Sequence, residues 1–171
     1  MIKSGPVPTE LHVVLNWLQE LRRLARPRLG LYRPWRTSMD EGWTRFVLER
    51  YEFPLVSLSN EMMRSGEFAD QVDVVLFPDV SPAIIKNGEP SKDSRYRRWW
   101  TPLPPQYAGG IDTLPRDSSE QPKKKKGTQS RVTGSARLKA WVENGGTVVA
   151  LDSSSQYLID LFELPVSNVL G

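Results

Sequence analysis

Few residues in this chain are equipped for chemistry. None of the 171 residues is cysteine, so thiolate catalysis, disulfides and cysteine-ligated zinc are excluded. The one histidine, His12, is followed by Val13-Val14-Leu15 and forms no His-x-x-Glu pair. A catalytic zinc needs three protein ligands, which a single imidazole cannot provide, and His12 reads as an ordinary helix residue. A nucleophilic serine needs a base beside it. No histidine lies anywhere after position 12, so Ser153 has no base near it in sequence, and the Gly-x-Ser-x-Gly elbow is absent. Its simpler role is as the N-cap of a helix, with Gln156 as the partner in a capping box. An enzyme of another type built on Asp152 and Ser153 is the third reading.

Two groups of residues suit binding better than catalysis. Tyr32, Arg33, Trp35, Asp40, Asp79, Tyr107, Asp152 and Ser153 combine a cation, carboxylates, hydroxyls and aromatic faces. Brought together, they would line a crevice for a small polar ligand or a peptide end. The plainer alternative is that Asp40 and Glu41 favour a helix N-terminus and Arg33 pairs with one of them. The run Arg95-Tyr96-Arg97-Arg98-Trp99-Trp100, with Lys123–Lys126, interleaves cations with stacking faces as single-strand nucleic-acid binders do. No recognised DNA or RNA motif accompanies it, and a net charge of +3 is too small to argue for nucleic acid. A solvated loop with its tryptophans against the core or a neighbour is the preferred reading. Arg97, Trp99, Trp100 and Leu18 are then candidates for a partner surface.

The elements that would position these groups alternate along the chain. Leu11, Val14, Leu15, Leu18 and Leu21 recur at helical spacing over 10–26, and Pro27 stops that helix. A strand is predicted over Leu29–Trp35. Ser38-Met39-Asp40-Glu41 then opens a helix as a capping box, with Glu41 reaching back and Trp43, Phe46, Val47 and Tyr51 as the buried stripe. Further strands are predicted over Phe53–Leu58, over the continuous apolar run Val72–Phe77, and over Thr147–Leu151, the last also buried. A short helix over Asn60–Ser65 should end at Gly66, and one turn is expected over Ser81–Lys86. Helices are predicted over Val132–Glu143 and from Ser153 through Phe162, and an edge strand over Pro165–Leu170. Residues 87–131 are rich in Pro, Gly and charge and read as a long loop with a solvated insertion. This order implies an α/β fold: a mostly parallel, doubly wound, three-layer sheet with right-handed crossovers. Its ligand crevice would lie at the carboxyl ends of the strands.

Several of these pieces carry a resemblance. Gly30-Leu31-Tyr32-Arg33-Pro34-Trp35, Ser38-Met39-Asp40-Glu41-Gly42-Trp43-Thr44-Arg45, Tyr51-Glu52-Phe53-Pro54, Asp73–Asp79, Pro105–Ile111, Gly145–Asp152 and Leu164–Leu170 resemble a group of large bacterial zinc carboxypeptidases of the carboxypeptidase A-like family. In those proteins a class I glutamine amidotransferase-like domain, flavodoxin-like in architecture, follows the peptidase domain. The similarity covers roughly 29–111 and 132–171, and 112–131 resembles an insertion. Residues 1–28 read as an N-terminal helix and linker, and the resemblance implies that 29–171 are the amidotransferase-like domain. It implies a fragment, or a drifted copy, of the accessory part of a metallocarboxypeptidase. Active amidotransferases place a Cys on the turn that matches Leu151-Asp152-Ser153-Ser154 and use a His as base, and this chain has neither there.

The expectation is therefore a non-catalytic accessory domain that docks, stabilises or presents substrate. No cofactor is expected here, and zinc belongs to the peptidase domain. The expected partner is that peptidase domain or a second copy of this chain. The alternative is an independent module that uses the Arg/Trp loop to hold nucleic acid or another anionic partner. No run approaches the roughly 18 apolar residues of a membrane span, and Met1–Glu10 has no signal-peptide pattern. The compartment is left open, export of the parent included.

Overall fold

The computed structural model describes residues 27–36, 38–115 and 132–167. The helix expected over 10–26 lies outside them, as do Leu18 and Lys123–Lys126. Four short strands form one all-parallel sheet: β1 (Leu29–Tyr32), β2 (Leu55–Leu58), β3 (Val74–Phe77) and β4 (Thr147–Ala150), in the order β2-β1-β3-β4. The architecture is a three-layer α/β fold of the flavodoxin-like kind. Parallel strands need crossovers, and each interval between strands holds at least one helix. These are α1 (Met39–Arg50), α2 (Asn60–Ser65), α3 (Phe68–Gln71), α4 (Pro82–Asn87) and α5 (Gly134–Glu143), with α6 (Ser154–Phe162) after β4.

Alternation along the strands divides the core in two. Tyr32, Leu58, Val75 and Phe77 point to one face, where Met63, Phe68, Ile85, Leu138 and Tyr157 from α2 to α6 cover them. Leu29, Leu31, Val74 and Leu76 point to the other, where Leu48 of α1 joins them. Gly30 is needed on the crowded face, because a Cβ there would sit 2.5 Å from Leu58 Cδ1. Most caps are local and follow the sequence. The Ser38 hydroxyl accepts from the Glu41 N–H at 3.0 Å, and Ser59 accepts from the Met62 N–H at 3.2 Å. Gly66 and Gly88 end α2 and α4 in the left-handed conformation.

Several expectations are corrected. The predicted stripe of α1 faces outward: Trp43, Phe46, Val47 and Tyr51 are exposed, and the side against the sheet holds Glu41, Arg45 and Leu48. Spacing shows that a helix has an apolar face without showing which neighbour that face meets. Glu41 does not close a capping box, because its carboxylate takes the Arg45 guanidinium, which also donates to Ser57 Oγ at 3.0 Å. β4 is only half buried, with Thr147 and Val149 in solvent. Pro165–Ser167 is not strand, and the rest of the predicted edge strand lies outside the described residues. The loop after α4 is partly core. Ala108–Ile111 is buried, and Ile111 donates its N–H to the Ile85 carbonyl at 2.8 Å.

Candidate functional site

The carboxyl ends of the strands are where this fold would hold a ligand, and the chain there is pinned by buried polar groups. Tyr32, the last residue of β1, is wholly buried. Its hydroxyl donates to Asn60 Oδ1 at 2.6 Å, and Asn60 Nδ2 donates to the Gly109 carbonyl at 2.9 Å. Tyr32 therefore does not line a crevice; it ties the loop 105–110 down over the sheet. Burial raises its phenol pKa far above the ordinary range. Tyr157 is held in the same way. Its hydroxyl lies 2.8 Å from Ser135 Oγ, which donates to Asp112 Oδ2 at 2.7 Å, and burial raises its pKa as well. A run of donors from Tyr157 through Ser135 to the Asp112 carboxylate satisfies every member.

Four of the other predicted site residues fall into two pairs. Trp35 and Tyr107 meet with ring centroids 4.2 Å apart and form an aromatic ledge open to solvent. Asp79, at the end of β3, accepts the Ser153 N–H at 3.2 Å. The two pairs share no hydrogen bond or ring contact among the described residues. Asp152 is exposed, with a left-handed φ of 48°. Arg33 is exposed and Asp40 stands in the first turn of α1. Glu41 is committed to Arg45.

Ser153 is not the cap that its position suggests. Its backbone is helical and its hydroxyl caps nothing. The buried Ser154 has different work, tying the helix start to the strand ends: its Oγ accepts the Leu151 N–H at 3.0 Å and lies within bonding distance of the Leu151 and Phe77 carbonyls. Gln156 donates to Asp160 instead of reaching back. Nothing in Ser153-Ser154-Ser155 distinguishes the three by type, so sequence reasoning had no signal with which to choose among them.

In the Arg/Trp loop the two tryptophans part company. Trp99 is 79% exposed, with the Arg98 guanidinium 5.9 Å from its ring centroid. Trp100 is partly covered by Arg36, whose guanidinium carbon stands 4.1 Å over the ring and which donates to the Thr101 carbonyl. Arg97 is tethered by the Pro90 carbonyl at 2.9 Å and lies 3.8 Å from Glu89.

The chain matches no protein-family model, no curated protein and no solved structure. Among the described residues no three His, Cys, Asp or Glu side chains are grouped so that they could hold a metal ion. A small cavity of about 170 Å³ lies among Arg64, Ile111, Asp112, Leu114, Val132 and Thr133, apart from the residues expected to form the crevice. Its polar groups are already used: Arg64 donates to the Gly110 carbonyl at 2.6 Å, and Asp112 accepts from Ser135. Among the described residues, a group of exposed apolar side chains stands on α1. On α1, Met39, Trp43 (62% exposed), Phe46 (59%) and Val47 stand in solvent, with Tyr51 just beyond. Trp43 and Phe46 meet edge to face at 6.0 Å. The helical spacing of these residues was legible in the sequence; their outward direction was not.

Proposed function

We propose that this chain is an accessory domain that docks onto a neighbouring domain through the outer face of α1. The supporting observation is that face itself: two aromatic rings, a methionine and a valine on one side of a helix, with a tyrosine at its end. Trp, Tyr, Phe and Met are the residues enriched at interface centres, and monomers rarely leave a contiguous apolar patch of this kind in water. The neighbour that the sequence resemblance suggests is the peptidase domain of a zinc carboxypeptidase polypeptide. On this reading the chain positions or steadies that domain and takes no part in the chemistry, and the zinc sits in the partner.

The test is association with that domain. The coding region upstream should supply His-x-x-Glu and a later His. Produced together with this chain, that peptidase region should co-purify with it. Trp43→Ser with Phe46→Ser should abolish the association and leave the thermal midpoint within about 2 °C. An upstream region without peptidase ligands, or association indifferent to the two substitutions, overturns the reading. Self-association of the isolated chain that the same substitutions abolish would make a second copy the occupant.

One observation favours a second reading, a module for an anionic partner. Trp99 is open to solvent beside Arg98, a stacking face next to a cation. Salt-dependent binding of single-stranded nucleic acid, lost in Trp99→Ser, would support it.

A further inference from the structure

We infer that this domain holds an oxyanion, a phosphate or a carboxylate, between Arg36 and Trp100 beyond the carboxyl end of β1. The topology marks that place. β1 lies between β2 and β3. The chain leaves β1 for α1, which packs on the Leu31 face of the sheet, and leaves β3 for α4, which packs on the Phe77 face. Where the exits of neighbouring strands part to opposite faces, a crevice opens between their carboxyl ends, and open α/β sheets bind ligands there. Arg36 stands in the exit from β1, two residues ahead of the Ser38 cap of α1. The long segment after α4 brings Trp100 back to it.

The side chains gathered there are donors in want of an acceptor. Arg36 Nε and the Trp100 indole nitrogen are both shielded from solvent, and neither has a hydrogen-bond partner; among the described residues they are the two side-chain atoms in that state. Buried donors in native proteins are almost always satisfied, so two orphans on touching side chains point to an acceptor from outside the chain. The Arg36 guanidinium carbon stands 4.1 Å over the Trp100 ring. Stacking occupies the face of the guanidinium and leaves its N–H edge for an oxyanion. Asp40, the nearest carboxylate in sequence, forms no ion pair with Arg36 among the described residues. The partners of Arg36 there are the Thr101 carbonyl and the Trp100 ring, and neither neutralises its charge. Access rests on residues 101–108. Pro102, Pro104 and Pro105 bring no backbone donors, and among the described residues the bond from Arg36 to the Thr101 carbonyl is the one hydrogen bond from this segment to the rest of the molecule. Breaking it frees the segment and a second donor of Arg36 together. Trp35, adjacent to Arg36, stacks on Tyr107 of the same segment, which gives a flat ring attached to the oxyanion a surface to lie on. The site uses nothing on the outer face of α1, so it stands or falls separately from the docking reading.

Phenyl phosphate and benzoate, each titrated into the full chain, test the site and separate the two oxyanions. At least one should bind saturably by calorimetry, with a Kd at or below about 1 mM. The Trp100 indole N–H, identified in proton–nitrogen spectra by its loss in Trp100→Phe, should shift downfield as it gains an acceptor. Arg36→Gln should weaken binding by about tenfold or more, because it removes the charge that assists the bond. Trp100→Phe keeps a ring under the guanidinium and removes only the indole donor, and should weaken binding by about threefold or more. If Arg36→Gln does not fold, Trp100→Phe decides. Saturation by neither ligand, an affinity unchanged in either variant, or a shift confined to the Trp99 indole overturns the inference. The last outcome would move the anion to the Arg98 and Trp99 pair of the second reading.

Discussion

Ser153 and Ser154 are adjacent and chemically identical, yet the structure assigns them different work. Ser154 is fully buried and bonds to the Leu151 N–H and nearby carbonyls, whereas Ser153 uses only its backbone, toward Asp79. Removing a buried hydroxyl leaves its partners short of a bond, and the loss is typically about 1–2 kcal/mol. Ser154→Ala should therefore lower the unfolding free energy by about that amount, and Ser153→Ala should change it by less than about 0.5 kcal/mol. Urea denaturation of the two variants checks this. The reverse order would restore Ser153 as the cap. The three-residue serine run made a helix start legible in the sequence. Which hydroxyl turns inward depends on where the Phe77 and Leu151 carbonyls lie, and those belong to two different strand ends.

At the scale of elements, α1 and the strap 108–111 are the informative pieces. Leu48 is wholly buried against the sheet, while Trp43 and Phe46 stand in solvent. Leu48→Ala should cost about 2–5 kcal/mol as a core truncation. Trp43→Ser and Phe46→Ser should each cost under about 0.5 kcal/mol, as surface changes do. Thermal denaturation separates the two outcomes, and a large loss at Trp43 would return it to the core. The strap depends on close backbone approach. A Cβ on Gly110 would run into the backbone of Ile85 and Lys86, whereas one on Gly42 of α1 would meet nothing within 4 Å. Gly110→Ala should thus destabilise by about 1–3 kcal/mol through overpacking. Gly42→Ala should stabilise by about 0.5–1 kcal/mol through helix propensity. Opposite shifts in the denaturation midpoint are expected, and shifts of one sign would refute the packing assigned to the strap.

For the whole molecule, the larger core cluster contains two phenols, Tyr32 and Tyr157, packed around Phe77 at centroid distances of 5.0 and 5.5 Å. Both pKa values are raised above the ordinary 10.0, chiefly by burial. A raised folded-state pKa on an acid means that the native chain keeps its proton where the unfolded chain releases it. Stability is then complete below the unfolded value and falls as pH climbs past about 10. A cooperative alkaline transition above that pH is expected, with both phenols ionising together with unfolding, read from tyrosinate absorbance and circular dichroism. Tyr157→Phe should move the transition upward, toward the limit set by Tyr32. Phenol ionisation well before the loss of structure would show that the two rings are not sealed in the core.

The sequence by itself determined the alternation of strands and helices, the parallel pairing, the helix stop at Gly66, and a buried strand within Val72–Phe77, because these follow from local periodicity and local backbone chemistry. The absence of cysteine and the single histidine are equally local, being a matter of residue types. Tertiary structure alone decided the facing of α1, the inward turn of Ser154, the burial of Tyr32 beneath Asn60 and Gly109, and the half-open state of β4. Each of these depends on which distant segment occupies the neighbouring space. Periodicity shows that a face exists, and only the packing of layers determines what that face meets.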